Sequence, residues 1–263
     1  MLTAEEQERL TRVGPGTPMG ELMRRYWIPV RPLAQLKEED VMPIRILGED
    51  LVLFITKNGK LGLVGERCPH RMSMMKYGIP DEDGLRCCYH GWNFAPDGQC
   101  IDMPLESPAN KLKDHVKIAS YPVQEMGGLV WAYMGPKPVP LLAPWDLFVM
   151  PNAIRQIGIT FLECNWLQCH ENTGDPAHSV YLHGHMFKYI LEKKGELEER
   201  AKDRRMSTLH SRIEMGLGIE SLYAHETQYG MEKGINYSKA LGCLLYTSPS
   251  PRDATLSRMP SSA

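Results

Sequence analysis

Cys68 and His70 stand one residue apart, and after sixteen intervening residues come Cys87 and His90. Each pair joins a soft thiolate donor to an imidazole. Two such pairs can cradle a two-iron unit between two loops, with Cys68 and Cys87 on one iron and His70 and His90 on the other. Two neutral imidazoles in place of two thiolates raise the reduction potential above that of an all-thiolate cluster. The spacing therefore predicts a protein that moves electrons one at a time. Zinc uses the same ligand types, but zinc modules usually group like ligands, as in C-x-x-C with a separate pair of histidines. Here each loop carries one of each. Cys88 leaves an ambiguity, because Cys88-Tyr89-His90 repeats the spacing of Cys68-Pro69-His70.

A second constellation follows between Asn165 and His185, where Asp175, His178 and His183 form D-x-x-H-x-x-x-x-H. Two neutral imidazoles and a carboxylate on one face of Fe(II) leave positions open for dioxygen. His178 and His183 are the expected imidazole ligands. On a regular α-helix residues five apart sit about 140° apart, so these two converge only if the helix widens, and a π-type bulge is predicted between them. Asp175 and His178, three apart, can share a face without distortion. Asp175 also reads as an N-cap ahead of Pro176 at the first helical position. His170 and His185 are expected to be surface or pocket residues rather than ligands. Cys100, Cys164 and Cys169 are expected to be buried thiols. Asn172 receives no role.

Cys68-Pro69-His70-Arg71 followed by Cys87-Cys88-Tyr89-His90-Gly91-Trp92 resembles the Rieske domain of bacterial aromatic-ring hydroxylating oxygenases, large (alpha) subunit. That pattern spaces its second pair as C-x-x-H, which favours Cys87 over Cys88. The stretch GPGTPMGELMRRYW, Gly14 to Trp27, resembles the phthalate 4,5-dioxygenase-like branch. The resemblance implies an α+β fold, an all-β Rieske 2Fe-2S domain followed by an incomplete helix-grip (START-like) catalytic domain with an antiparallel sheet. It also implies a 2Fe-2S cluster, mononuclear Fe(II), and electrons from NAD(P)H delivered by a separate reductase. Dioxygen would be activated against a small aromatic substrate, to hydroxylate or demethylate it. In such enzymes the aspartate before the first iron histidine bonds that histidine and reaches the second cluster histidine of a neighbouring subunit in a ring-shaped trimer. On this chain the path would run from His90 of one subunit through Asp175 to His178 of the next. The third iron ligand, an Asp or Glu far downstream, is not reached. A Rieske electron carrier without oxygenase chemistry is the alternative, and Asp175, His178 and His183 argue against it, since a carrier has no use for a second iron.

The elements that must position these residues are readable in outline. Residues 1–40 read as an N-terminal helical segment, with Thr3 to Tyr26 helical in part. From 41 to 135 the pattern is β: Pro43 to Leu47, Leu51 to Ile55 and Leu61 to Val64 are rich in branched residues, with Asn58-Gly59 as a tight turn. Both cluster loops then fall at hairpin tips, Pro96-Asp97-Gly98 is a further turn, and Leu129 to Met134 closes the domain. Gly135 to Pro140 reads as a linker. Residues 136–242 are expected to hold the first part of the iron-binding domain. In it Ala153 to Phe161 reads as a strand, Tyr189 to Arg205 as a solvated helix, and Leu209 to Tyr229 as the start of a sheet.

Composition fits a cytoplasmic enzyme. The 263 residues are 43% hydrophobic with a formal net charge of -2, which gives no electrostatic case for nucleic acid. No apolar run reaches a membrane span, and the polar start is not a signal peptide. Seven cysteines without framework spacing argue against a secreted disulfide scaffold. The tail, 243–263, stands apart. Cys243 to Asp253, CLLYTSPSPRD, back-translates to DNA resembling a transposase-type sequencing adapter, and Ser257 to Ala263, SRMPSSA, resembles its flow-cell end. Native sequence is therefore expected to end near Gly242, against the plain alternative of a Ser/Pro-rich disordered terminus. Such a chain is expected to assemble the cluster but bind mononuclear iron weakly and turn over little.

Overall fold

The computed structural model describes residues 2–200 and 219–237, except Pro108, Pro176 and Tyr229. They fall into two compact units, one running to Phe161 and the other starting at Leu162.

The first unit opens with two short helices. Ala4–Thr11 begins in a capping box between Thr3 and Glu6, and Pro18–Met23 is capped by the Thr17 hydroxyl with Pro18 at its first position. Eleven strands follow: β1 (Trp27–Pro32), β2 (Val41–Ile46), β3 (Glu49–Ile55), β4 (Leu61–Gly65), β5 (Ile79–Pro80), β6 (Leu85–Arg86), β7 (Asn93–Phe94), β8 (Cys100–Asp102), β9 (Ser120–Tyr121), β10 (Val123–Met126) and β11 (Leu129–Tyr133). They form three antiparallel sheets, in the orders β2-β3-β4-β9, β1-β11-β10 and β5-β6-β7-β8. Strand β1, inside the stretch read from sequence as helical, pairs with β11, so the start of the chain is part of the β architecture.

Alternation along β3 explains the layering. Val52 and Phe54 face one core with Val64, Met75, Leu85 and Phe94, while Leu51 and Leu53 face a second with Leu36, Leu63, Val130 and Ala132. Each fully buried side chain of this kind contributes about 1.5–3 kcal/mol. Phe54 lies opposite Gly62 in the β3/β4 register, and a Cβ at Gly62 would run into its ring. Arg24, nearly fully buried, ties the second helix to the sheet: it pairs with Glu49 at 2.6 Å and donates to the Leu47 carbonyl at 3.1 Å. The Tyr121 hydroxyl donates to the same Glu49 carboxylate at 2.7 Å.

The second unit begins with the helix Trp166–Gly174, capped by the Asn165 side chain. Ala177–Val180 follows, then a π-helix over Tyr181–Met186, then the helix Phe187–Lys194, which ends at Gly195 in the left-handed region, φ 68°. After Leu197–Arg200, strands β12 (Ile219–Thr227) and β13 (Gly230–Tyr237) make an antiparallel hairpin.

One expected element did not form. Ala153 to Phe161, read as a strand, is in no sheet. Branched residues favour an extended backbone, but a strand needs a partner to satisfy its peptide groups, and Ile154 and Phe161 stand exposed. The tail 243–263 and the start of the expected sheet at Leu209 lie outside the described residues. Among the described residues, no helix is long and apolar enough to cross a membrane.

Candidate metal centres

Two loops of the first unit are built on the same backbone frame. In the loop after β4, the Cys68 N–H donates to the Ser73 carbonyl at 2.9 Å, and the Met72 N–H returns to the Cys68 carbonyl at 2.9 Å. In the loop between β6 and β7, the Cys87 N–H donates to Trp92 at 2.8 Å and the Gly91 N–H to Cys87 at 3.0 Å. Each turn closes on a left-handed residue, Met72 at φ 59° and Gly91 at φ 74°. Histidine follows cysteine after one residue in the first loop and after two in the second.

The frame sends the two sulfurs inward. Cys68 and Cys87 are 1% and 4% exposed and belong to the core around Phe94, whereas Cys88 is exposed. This separates Cys87 from its neighbour. The imidazoles meet, with ring centroids of His70 and His90 4.6 Å apart and planes at 62°. His70 lies flat on Trp92 of the opposite loop, 4.4 Å away and within 5° of parallel, and Tyr89 covers His90 at 3.8 Å.

The chemistry of these donors suits metal. The Nδ1 atoms of His70 and His90 are both buried without a hydrogen-bond partner. Leaving such a group unpaired costs about 1–3 kcal/mol, which an ion taking the lone pair would offset. Burial pushes the Cys68 thiol up to about 11 and the nearby Cys87 adds to this, while the His70 and Arg71 amides, bonding to the sulfur, pull it back. A thiolate there needs a cation to form at neutral pH. Burial, with His90 and Arg71 close by, lowers the His70 pKa and favours the neutral ring that can act as a ligand. A two-iron cluster with mixed ligation fits this donor set.

One residue that the sequence did not single out braces the second loop. Arg86, beside Cys87, donates to the Gly91 carbonyl at 2.7 Å, to Asp102 at 2.7 Å, and to Asp81 at 3.0 and 2.6 Å. Its place next to the cysteine was the only available signal, because its acidic partners join it through strand pairing.

In the second unit the π-helix widens the backbone across Tyr181–Met186, as the five-residue spacing predicts. His178 and His183 come within 5.3 Å, centroid to centroid, at 73°. Asp175 does two things. One carboxylate oxygen caps the next helix, accepting from the Ala177 N–H at 2.8 Å, and the other lies 3.7 Å from His178 Nδ1. That is ion-pair range and too long for a hydrogen bond. His178 Nδ1 is buried without a hydrogen-bond partner. His185 stacks on Tyr181 and His170 packs near Trp166, so neither joins the pair. Cys164 and Cys169, expected to be buried, are exposed with sulfurs 3.7 Å apart, whereas Cys100 is buried. The two exposed thiols flank the cap of Trp166–Gly174, where the helix has no buried residue to pack over them.

Comparisons with known proteins agree with this geometry. A family model described as "Rieske [2Fe-2S] domain" matches residues 26–122. The chain is 48% identical over 198 residues to the 5,5'-dehydrodivanillate O-demethylase oxygenase subunit of Sphingobium sp. (strain NBRC 103272 / SYK-6), covering 74% of this chain and 47% of that protein. It is 46% identical over 179 residues to the tert-butanol monooxygenase / tert-amyl alcohol desaturase oxygenase subunit of Aquincola tertiaricarbonis, covering 67% and 38%. It is 41% identical over 206 residues to the phthalate 4,5-dioxygenase oxygenase subunit of Pseudomonas putida, covering 77% and 46%. The chain thus spans less than half the length of each of these relatives. Matches this long extend well beyond the cluster domain. The chain thus carries a Rieske [2Fe-2S] domain and is homologous, across about three quarters of its length, to the oxygenase subunits of such systems.

Proposed function

We propose that the chain is part of the oxygenase component of a Rieske ring-hydroxylating or demethylating system. In this reading Cys68 and Cys87 hold one iron of the cluster, and His70 and His90, through their buried Nδ1 atoms, hold the other. His178 and His183 hold mononuclear Fe(II) together with a carboxylate from outside the described residues. Bound there, these groups supply one-electron transfer and dioxygen activation, with electrons drawn from NAD(P)H through a separate reductase.

The chain's own residues position and shield. The core around Cys68 and Cys87 keeps water from the sulfurs, and Trp92 and Tyr89 limit the swing of the two imidazoles. The π-helix turns His178 and His183 toward each other. Asp175 orients the His178 ring, as a carboxylate beside a metal histidine does, and also reaches His90 of a neighbouring copy in a homotrimer. The substrate is a small aromatic compound, in keeping with relatives named for phthalate and dehydrodivanillate. We place the protein in the cytoplasm, where thiols stay reduced.

The observation that carries the reading is the pair of orphaned Nδ1 atoms, on rings 4.6 Å apart, in the same two loops as two buried sulfurs. Anaerobic reconstitution with iron and sulfide tests it. A coloured protein whose reduced form gives the paramagnetic resonance signal of a mixed-ligand cluster is expected. A colourless protein loaded with zinc would refute the reading.

A further inference from the structure

We propose that Arg86 is a positioning residue that sets the planes of both cluster imidazoles through a single carbonyl. This rests on the cluster reading above. The Gly91 carbonyl lies between His90 and Trp92 in the chain, and Arg86 Nη1 donates to it at 2.7 Å. The same guanidinium is fixed on two further sides. Nη1 donates to Asp102, at the end of β8, at 2.7 Å, and Nη2 donates to Asp81, just after β5, at 2.6 Å. Asn93 of β7 also donates to Asp81, at 3.2 Å. The Gly91–Trp92 peptide is therefore tied through Arg86 to β6, through Asp102 to β8 and through Asp81 to the residue that follows β5.

Movement of that peptide would reach both rings. His90 lies one residue before it. Trp92 follows it and carries His70 flat on its indole face, 4.4 Å away. The 62° angle between the imidazoles is thus set by one rigid fork, and a guanidinium provides that geometry where an ammonium provides only a point charge. Arg86 and its two acidic partners are also electrostatically matched. Its hydrogen bond is the main reason Asp81 titrates below the usual carboxylate range.

The test compares Arg86→Lys and Asp102→Asn with the parent 263-residue chain. In the metal-free proteins, hydrogen exchange at the Gly91 and Trp92 amides should quicken about tenfold in Arg86→Lys, with β3 amides unchanged as the control for folding. Asp102→Asn, which turns one anchor at a half-exposed site from a charged into a neutral acceptor, should show a smaller change in the same direction. In the reconstituted proteins, Arg86→Lys should broaden and shift the resonance lines of the reduced cluster, and a chelator should bleach it about tenfold faster, in the range for residues supporting metal ligands. If both folded variants keep the parent's exchange, lines and bleaching rate, the proposal is overturned. If Arg86→Lys does not fold, Asp102→Asn decides by the same readings. A parent that takes up no cluster sinks the cluster reading itself, while the exchange arm still judges whether Arg86 holds the loop.

Discussion

Met72 and Gly91 occupy equivalent places in two loops of different sequence. Each lies four residues after a cysteine, each adopts a left-handed backbone, φ 59° and 74°, and each returns its N–H to that cysteine's carbonyl, at 2.9 and 3.0 Å. The chain has met one geometric demand twice, once with a glycine and once with a residue that bears the strain.

The two positions should therefore respond unequally to substitution. In Gly91→Ala the new Cβ would sit 2.8 Å from Pro104 Cγ on a backbone that disfavours it, so unfolding free energy should fall by about 2 kcal/mol in chemical denaturation. Met72 is exposed and loses little packing when trimmed. Met72→Gly should move stability by less than about 1 kcal/mol, because backbone relief is offset by the freer unfolded chain.

The adjacent cysteines give a sharper contrast. Cys87→Ser should abolish the visible absorption of the reconstituted protein, while Cys88→Ser should leave it intact, since only Cys87 faces the core. Equal loss in both would mean that the second loop presents its ligands in another register.

Burial, and then the hydrogen bond to Glu49, pushes the Tyr121 phenol up to about 12. A raised value means the neutral phenol is favoured in the folded state. Its contribution is full below the ordinary tyrosine value of about 10 and is lost as pH rises from there through about 12. Tyr121→Phe should cost about 1–2 kcal/mol near neutral pH and flatten the alkaline limb of the stability profile. Tyrosinate absorbance would show the parent residue titrating late.

Asp175 joins a cap to a contact with His178, and the two can be separated. Asparagine caps a helix as well as aspartate does, so Asp175→Asn should keep helicity while lowering cobalt or ferrous affinity at His178 and His183 about tenfold. Asp175→Ala should in addition lose about 1 kcal/mol of helix stability. Undiminished affinity in Asp175→Asn would leave Asp175 as a cap alone.

Much of the site was legible because its constraints are local. The five-residue step from His178 to His183 demands a widened helix, and the π-helix supplies it. The choice of Cys87 over Cys88 rested on the resemblance to a C-x-x-H pattern, and the burial of the one and exposure of the other appear only in the fold. Arg86 was not legible, since Asp81 and Asp102 become its neighbours only once β5 to β8 pair. Trp92 was visible as part of a motif, but its seat under His70 depends on two loops meeting. Ala153 to Phe161 misled because strand propensity describes a segment, whereas a strand is a relation between two.

The burial of Cys68 and Cys87 among Met75, Leu85 and Phe94 has a consequence for biosynthesis. Sulfurs walled in by apolar side chains are open to incoming metal only from the side of the half-exposed rings, or before the strands close. Loading with iron should therefore precede closure of the strands or need a transient parting of the two hairpin tips. The same packing afterwards slows loss of the inorganic core, so the domain is built to be loaded once and kept.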